Sequence, residues 1–341
     1  MKIVSVIGTR PQYVKAAVVT RALRNDGRFD EVTIDTGQHY DAEMSAFLLD
    51  DLPDVQRARN LDIHGGAEHE VLGRMIGSVG DALTEENPDA VLVYGDTNST
   101  LAGALAASTL DVPLGHVEAG LRSYNRSMRE ERNRVLVDHL SQLLLCPTPT
   151  AMENLAREGV EQGLHHVGDV MYDAAIAAHE QVANGGDAPG AHAVATVHRA
   201  ENTDDSAMLD KVLGYLRGVA AEHPVVLPLH PRTRKAIDAG RLSTEGLDVR
   251  EPVSYLEMAR LLTTATVVYT DSGGLQKEAY FARVPCVTLR NETEWVETVA
   301  AGWNRLWTVA EYEPRREISD YGDGHAGQAI VDALADTLGT R

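Results

Sequence analysis

Short apolar, β-branched runs alternate with helical patterns from one end of this chain to the other, and that alternation leaves few folds open. The expected strands are Lys2–Ile7, Glu31–Thr36, Ala90–Tyr94, Leu114–Val117 and Leu143–Cys146. A second series is Val194–Val197, Val225–Leu229, Val249–Val253, Val267–Thr270 and Cys286–Leu289. Helices are expected at Tyr13–Asn25, Glu70–Glu86, Asn98–Ser108 and Asp205–Glu222. In the last, Leu209, Val212, Leu213, Leu216 and Val219 recur at helical spacing. Continuously apolar strands joined by helices make parallel sheets covered on both faces. The pattern restarts near residue 190, after the Gly/Ala/Pro-rich stretch Asn184 to Ala191. The chain therefore reads as α/β, with two doubly wound domains and a crossing near Gly168 to Asp173. From Gly324 onward one more helix is expected.

A chain of 341 residues exceeds the size at which one core divides, which agrees with two domains. The formal net charge is −20, from 51 acidic and 31 basic residues. That balance argues against nucleic acid or an anionic membrane as partner, since both call for a basic face. An anionic substrate must then be met by local Arg, Lys and His. Cys146 and Cys286 lie far apart in apolar runs, as buried free thiols in a reducing cytosol do. No apolar run reaches the roughly 18 residues of a membrane span, and the apolar start Ile3–Ile7 is too short for a signal peptide. A cytoplasmic location is expected.

Open parallel sheets bind ligands at the carboxyl ends of their strands, and the polar motifs of this chain cluster there. The segment Thr270-Asp271-Ser272-Gly273-Gly274-Leu275-Gln276-Lys277-Glu278 ends a strand and opens a helix over Gly274 to Phe281. Bare N–H groups and the helix dipole make such a junction an anion site, and Ser272 adds a hydroxyl. Glu278, one turn on, stands about where a ribose would lie beside a diphosphate. Gly8-Thr9-Arg10-Pro11-Gln12 is a second strand–helix junction, with Arg10 and Lys15 as cations beside it. Both junctions are equally compatible with ordinary turns and caps.

Asp96, Glu118 and Glu131 end or follow neighbouring elements of the first sheet. Paired carboxylates are the usual tools of proton transfer. Asp96 could instead cap a helix, and Glu130 and Glu131 could be surface ion pairs. Glu130 is read as such, whereas Glu118, in an otherwise apolar strand, is read as functional. In the second half His198-Arg199-Ala200-Glu201-Asn202 and His230-Pro231-Arg232 end adjacent strands. Arg199 and Arg232 disfavour a metal there and fit phosphate. His64-Gly65-Gly66 and His165-His166 receive no role.

Taken in order, Gly8-Thr9-Arg10-Pro11, Gly37-Gln38-His39, Gly95-Asp96-Thr97, His116-Val117-Glu118-Ala119-Gly120-Leu121-Arg122, Glu130-Glu131-x-Asn133-Arg134, His198-Arg199-x-Glu201-Asn202, Thr270–Glu278 and Tyr321-Gly322-Asp323-Gly324 resemble the non-hydrolysing UDP-N-acetylglucosamine 2-epimerases. The resemblance covers nearly the whole chain. It implies two Rossmann-like domains facing across a cleft, as in one class of glycosyltransferases, with the C-terminal helix packed back on the first. The implied domains are 1–169 plus 323–341, carrying the acid/base carboxylates, and 170–322, binding UDP. The activity implied is inversion at C2 by elimination of UDP to a 2-acetamidoglucal and re-addition. Asp96, Glu118, Glu131 and His198 are the implied catalytic residues. Arg10, Lys15, Arg122, His230, Pro252, Tyr255, Ser272, Gly273, Gly274, Glu278 and Arg290 are the implied UDP contacts. Neither metal nor cofactor is implied, and a homodimer is.

The chain departs from that family in places. Arg129 stands where the family usually has Pro before the paired glutamates. Thr293-Glu294-Trp295-Val296-Glu297 replaces a Thr-Glu-Arg-Pro-Glu run and loses a cation near the phosphates. Tyr40-Asp41-Ala42-Glu43-Met44-Ser45 lacks the pattern of allosterically activated members, so activation by UDP-N-acetylglucosamine at a second site is not expected. These variants look like the branch containing epimerases of UDP-2,3-diacetamido-glucuronate, which stays open as a substrate. A hydrolysing relative that releases UDP, a glycosyltransferase of the same fold and a nucleotide-sugar sensor are the other readings.

Overall fold

Two parallel sheets carry the chain, each generated by the alternation visible in the sequence. The computed structural model describes residues 1–38, 55, 57–183 and 192–339. His39, the Tyr40–Ser45 motif and the Asn184–Ala191 stretch lie outside the described residues. The chain divides into two compact units, Met1–Ala174 together with the chain from Ser319, and Ala175–Ile318.

In the first unit the elements run β1 (Lys2–Ile7), α1 (Arg10–Asp26), β2 (Asp30–Asp35), β3 (Arg57–Asn60), α2 (Glu68–Glu86), β4 (Ala90–Tyr94), α3 (Asn98–Thr109), β5 (Leu114–Val117), α4 (Arg129–Leu140), β6 (Leu143–Cys146), α5 (Pro149–Arg157) and β7 (Leu164–His166). The sheet order is β3-β2-β1-β4-β5-β6-β7, and all its pairings are parallel. The strand order reverses between β1 and β4, so the loops after β1, β4 and β5 meet at the switch point. Val4, Val6, Val91 and Val93 are fully buried and pack with Val79 and Leu83 of α2 and Ala104 of α3.

After α6 (Val170–Ala183) come β8 (His192–Thr196), α7 (Ala200–Thr203), α8 (Ser206–Ala220), β9 (Val225–Pro228), α9 (Pro231–Gly240), β10 (Asp248–Arg250), α10 (Tyr255–Thr264), β11 (Ala265–Thr270), α11 (Gly273–Phe281), β12 (Cys286–Thr288), α12 (Val296–Ala300), β13 (Asn304–Leu306) and α13 (Ala326–Gly339). The second sheet has the order β10-β9-β8-β11-β12-β13, again parallel, with its switch between β8 and β11. The expected apolar stripe Leu209, Val212, Leu213, Leu216 of α8 is fully buried against Ala193, Ala195 and Leu227.

Strands β3, β7 and β13 were not expected from the sequence. Their segments Arg-Ala-Arg-Asn, Leu-His-His and Asn-Arg-Leu are short and polar. Each pairs on one side only, so no continuous apolar run is needed. The strand expected over 249–253 ends at Arg250, because Pro252 has no N–H to give to a ladder. The C-terminal helix α13 packs on α1, and the carboxylate of Asp173 caps it, accepting from Ala326 N at 3.1 Å and Gly327 N at 2.9 Å. Cys146 and Cys286 are buried free thiols, and burial pushes the Cys146 thiol up to about 12. Among the described residues no helix is long and apolar enough to cross a membrane.

Gly120 takes φ +81, and a Cβ there would stand 2.4 Å from the carbonyl oxygen of Ala151. Gly120→Ala is expected to destabilise the fold by about 1–3 kcal/mol, read as a lower urea midpoint at unchanged slope.

Candidate active site

The first unit gathers its charged side chains at the carboxyl ends of β1, β4 and β5. Gln12 fixes this region from the first turn of α1. Its Oε1 accepts from Gly8 N (2.9 Å) and Thr9 N (3.1 Å), and its Nε2 donates to Tyr94 O (2.8 Å) and Thr100 Oγ1 (2.9 Å). The loops after β1 and β4 are thereby one hydrogen-bonded unit. Thr97, not Asp96, caps α3, which leaves the Asp96 carboxylate for a salt bridge with Arg134 Nη2. Arg134 Nη1 also holds Glu131 at 3.2 Å.

Glu131 is buried at 2% exposure, which excludes a surface ion pair. It further accepts from Ser123 N (2.8 Å), Ser123 Oγ (3.0 Å) and Tyr124 N (2.8 Å). Glu118 follows β5 directly and sits at φ +72, a left-handed conformation that a side chain with a Cβ adopts only under constraint. Its carboxylate pairs with Lys15 Nζ, both side chains being about nine-tenths buried. A Cβ on Gly95 would lie 3.2 Å from Lys15 Nζ and 3.4 Å from Glu118 Oε2, so this pair rests against the turn that carries Asp96. Burial opposes the charge on Arg134, yet Asp96, Glu131 and Glu118 together hold its pKa above the ordinary value. The three carboxylates thus share one electrostatic site with two cations.

Arg122 is not brought to this group. Its Nε and Nη2 grip Glu158 at 2.7 and 2.8 Å, and its Nη1 reaches Asp138 at 2.6 Å and Leu121 O at 2.7 Å. The side chain is 1% exposed, and these partners make it part of the scaffold behind the carboxylates. Lys15, expected as a phosphate cation, is placed in the carboxylate group as the partner of Glu118. Arg10 opens α1 at the end of β1.

In the second unit His198, His230, Pro252, Tyr255, Ser272 and Arg290 all follow the carboxyl ends of parallel strands and so occupy one rim of the sheet. Ser272 caps α11, its Oγ accepting from Leu275 N at 3.4 Å. Gly274 is exposed beside it, whereas Gly273 is buried. The fully buried Asp271 ties this loop to the one after β8. It accepts from His198 N and Arg199 N at 3.0 Å and from Asn202 Nδ2 at 2.9 Å. The His198 and His230 rings lie 5.6 Å apart. Glu278 approaches Gly274, with Oε1 3.7 Å from where a Cβ would be. Arg290 Nη1 pairs with Glu294 at 2.9 Å. Pro252 is exposed, and Tyr255 is buried at the start of α10. Trp295 stands at the position of the lost cation, and the buried Lys277 places its Nζ 4.0 Å from the centre of the indole ring.

Gln12, Arg134, Asp138 and Asp271 received no role from the sequence. All lie inside or next to the quoted motifs, but only their partners across the sheet reveal what they hold. Among the described residues no group of three or more His, Cys, Asp and Glu is placed to hold a metal ion.

The model of one protein family, UDP-N-acetylglucosamine 2-epimerase, matches residues 21–335. The chain belongs to that family. It is 46% identical to the UDP-2,3-diacetamido-2,3-dideoxy-D-glucuronate 2-epimerase of Pseudomonas aeruginosa, covering 98% of this chain and 99% of the relative. It is 37% identical to the UDP-N-acetylglucosamine 2-epimerase of Methanococcus maripaludis, covering 98% of each. The structure of the Methanocaldococcus jannaschii UDP-GlcNAc 2-epimerase, solved in complex with UDP-GlcNAc and UDP, superposes with a TM-score of 0.88 at 36% identity, over 98% of this chain and 100% of that one. The chain's two parallel α/β sheets are thus the fold it shares with that solved epimerase.

Burial lowers the pKa of His198. Asp271 opposes the shift, while Arg199, His230 and Arg232 add to it. The folded chain therefore binds fewer protons at this ring than the unfolded chain does. The stability it contributes is complete above the ordinary imidazole range, near 6.5, and is lost as pH falls below it. An NMR titration should place the His198 midpoint below that of a free imidazole, and Arg199→Ala should move it upward.

Proposed function

We propose that this chain is a non-hydrolysing 2-epimerase of a UDP-activated 2-acetamido sugar, interconverting UDP-N-acetylglucosamine and UDP-N-acetylmannosamine. The observation that carries the reading is the trio Asp96, Glu118 and Glu131, held by Lys15 and Arg134 on adjacent elements of one sheet. The C2 proton of such a sugar has no neighbouring carbonyl, so direct removal and return is too slow. Cleavage of the C1–O bond sends the electron pair out with UDP, while a carboxylate takes the C2 proton and a C1–C2 double bond forms. Re-addition of UDP to C1 and delivery of a proton to the other face of C2 complete the inversion. That sequence needs a base on one face of C2, an acid carrying a proton on the other, and stabilisation of an electron-poor C1, and three carboxyl groups can divide these tasks.

The diphosphate is assigned to the rim of the second unit. Ser272, Gly273 and Gly274 offer the N-terminus of α11, with Arg290, His198 and His230 as further polar contacts, and Glu278 for the ribose hydroxyls. Pro252 and Tyr255 belong to the same uridine-binding rim. A homodimer, resting on the family resemblance, and a cytoplasmic location, resting on the two buried free thiols, are part of this proposal. A second substrate, UDP-2,3-diacetamido-glucuronate, is favoured by the 46% identity to the P. aeruginosa enzyme.

In deuterated water, UDP-N-acetylglucosamine incubated with the chain should gain deuterium at C2, visible by proton NMR, with the UDP-sugar intact. Accumulation of free UDP instead identifies a hydrolysing enzyme. Absence of exchange with this sugar and with the diacetamido-uronate overturns the reading. The ratio of kcat/KM for the two sugars decides between the substrates. Glu118→Gln should slow exchange by about 10²–10⁴-fold with UDP affinity retained; loss of UDP binding would remove Glu118 from the acid/base role.

A further inference from the structure

Behind the carboxylates lies a second set of charged groups that the proposed chemistry leaves unused. His116 on β5 and Asp138 on α4 are both fully buried. His116 Nδ1 meets Asp138 Oδ1 at 2.7 Å, and its Nε2 meets the carbonyl oxygen of Gly95 at 2.7 Å. Asp138 also accepts from Gly120 N at 3.2 Å and from Arg122 Nη1 at 2.6 Å, and Arg122 continues to Glu158. Gly95 precedes Asp96 at φ +63, and Gly120 follows Glu118 by two residues. One buried carboxylate is thus linked, through one imidazole and one N–H, to the turns of two of the three proposed catalytic acids.

The partners also decide the protonation of the ring. A carbonyl oxygen only accepts, so Nε2 carries a hydrogen. Burial raises the pKa of Asp138, but His116 and Arg122 outweigh it and hold the carboxyl below its ordinary range. Asp138 accepts from Arg122 and Gly120 as well, so it is the common acceptor of this network. The string Asp138, Arg122, Glu158 alternates in sign, which is how charges are tolerated out of water. The other titratable groups facing it are Cys146, whose thiol burial and Asp138 keep protonated, and His139, 3.1 Å from Glu158.

We propose that His116, bridging Asp138 and the carbonyl oxygen of Gly95, is a positioning residue that locks the Asp96 turn and the Glu118 turn into one register for proton transfer at C2. This rests on the 2-epimerase reading for its kinetic arm and on hydrogen-bond geometry alone for its spectroscopic arm. A displacement of these turns by about 1 Å suffices to lose 10²-fold in rate without loss of substrate binding.

The test uses the full chain. With ¹⁵N-labelled histidine, one ring, assigned by its absence from His116→Gln, should show a hydrogen on Nε2 that exchanges slowly with solvent. An Nε2 without a hydrogen at that ring overturns the proposal, and this readout needs no substrate, so it stands apart from any failure of the 2-epimerase reading. His116→Ala should lower kcat by about 10²-fold with KM within about twofold. His116→Gln, whose amide reaches Gly95 O as Nε2 does, should recover more activity than His116→Asn, which can reach only Asp138. Equal recovery by Asn and Gln, or a loss confined to KM, overturns the proposal. If the Ala variant fails to fold by circular dichroism, the Gln and Asn pair and the wild-type spectrum decide.

Discussion

Ionised carboxylates cannot be packed together away from water unless cations are packed with them, and the first unit is organised around meeting that condition. Asp96, Glu118 and Glu131 are drawn into one group by Lys15 from α1 and Arg134 from α4. Remove either cation and the remaining negative charges repel one another in a poorly solvated place, where the penalty is several kcal/mol per ion. The same pairing sets the three carboxylates at one edge of the sheet, where the proposed acid/base chemistry needs them. It also explains how a chain of net charge −20 keeps a locally balanced site: the cations are placed singly, where carboxylates converge.

Backbone geometry bears the consequences. Glu118 at φ +72 turns its side chain off the end of β5 toward Lys15, where an extended residue would have continued the strand. Such a conformation persists only if its neighbours over-determine it. Glu118 N and Ala119 N both bond Leu145 O, at 3.1 and 3.2 Å, and Gly120 N bonds Asp138. In the second unit Asp271 does the equivalent work with hydrogen bonds alone, fastening the loop of His198 to the loop of Ser272. Both sites are thus pairs of strand-end loops stapled by one buried aspartate at or near the sheet's switch point.

Central strands were legible in the sequence because burial on both faces demands continuous apolar runs, as in Ala90–Tyr94 and Leu143–Cys146. Edge strands β3, β7 and β13 were not, because one unpaired side relaxes that demand and their residues read as loops. The carboxylates were legible by their position after apolar runs. Glu131 resisted reading, since a glutamate in a helix's first turn beside Glu130 and Arg132 has the signature of a solvated face. Its burial follows from Ser123 and Tyr124 folding over it. The partners of Arg122 were not legible either, because Asp138 and Glu158 come from α4 and the end of α5.

The order of apolar runs and strand-end motifs by itself determined the α/β class, the two sheets and the family, because these depend on periodicity and on residues close in sequence. Which charge meets which was decided only by the tertiary structure. Lys15 and Glu118 are 103 residues apart, and Arg134 and Asp96 are 38 apart. Parallel strands return each loop to the same edge whatever the length between them, so partnership at that edge is set by strand order and not by distance along the chain.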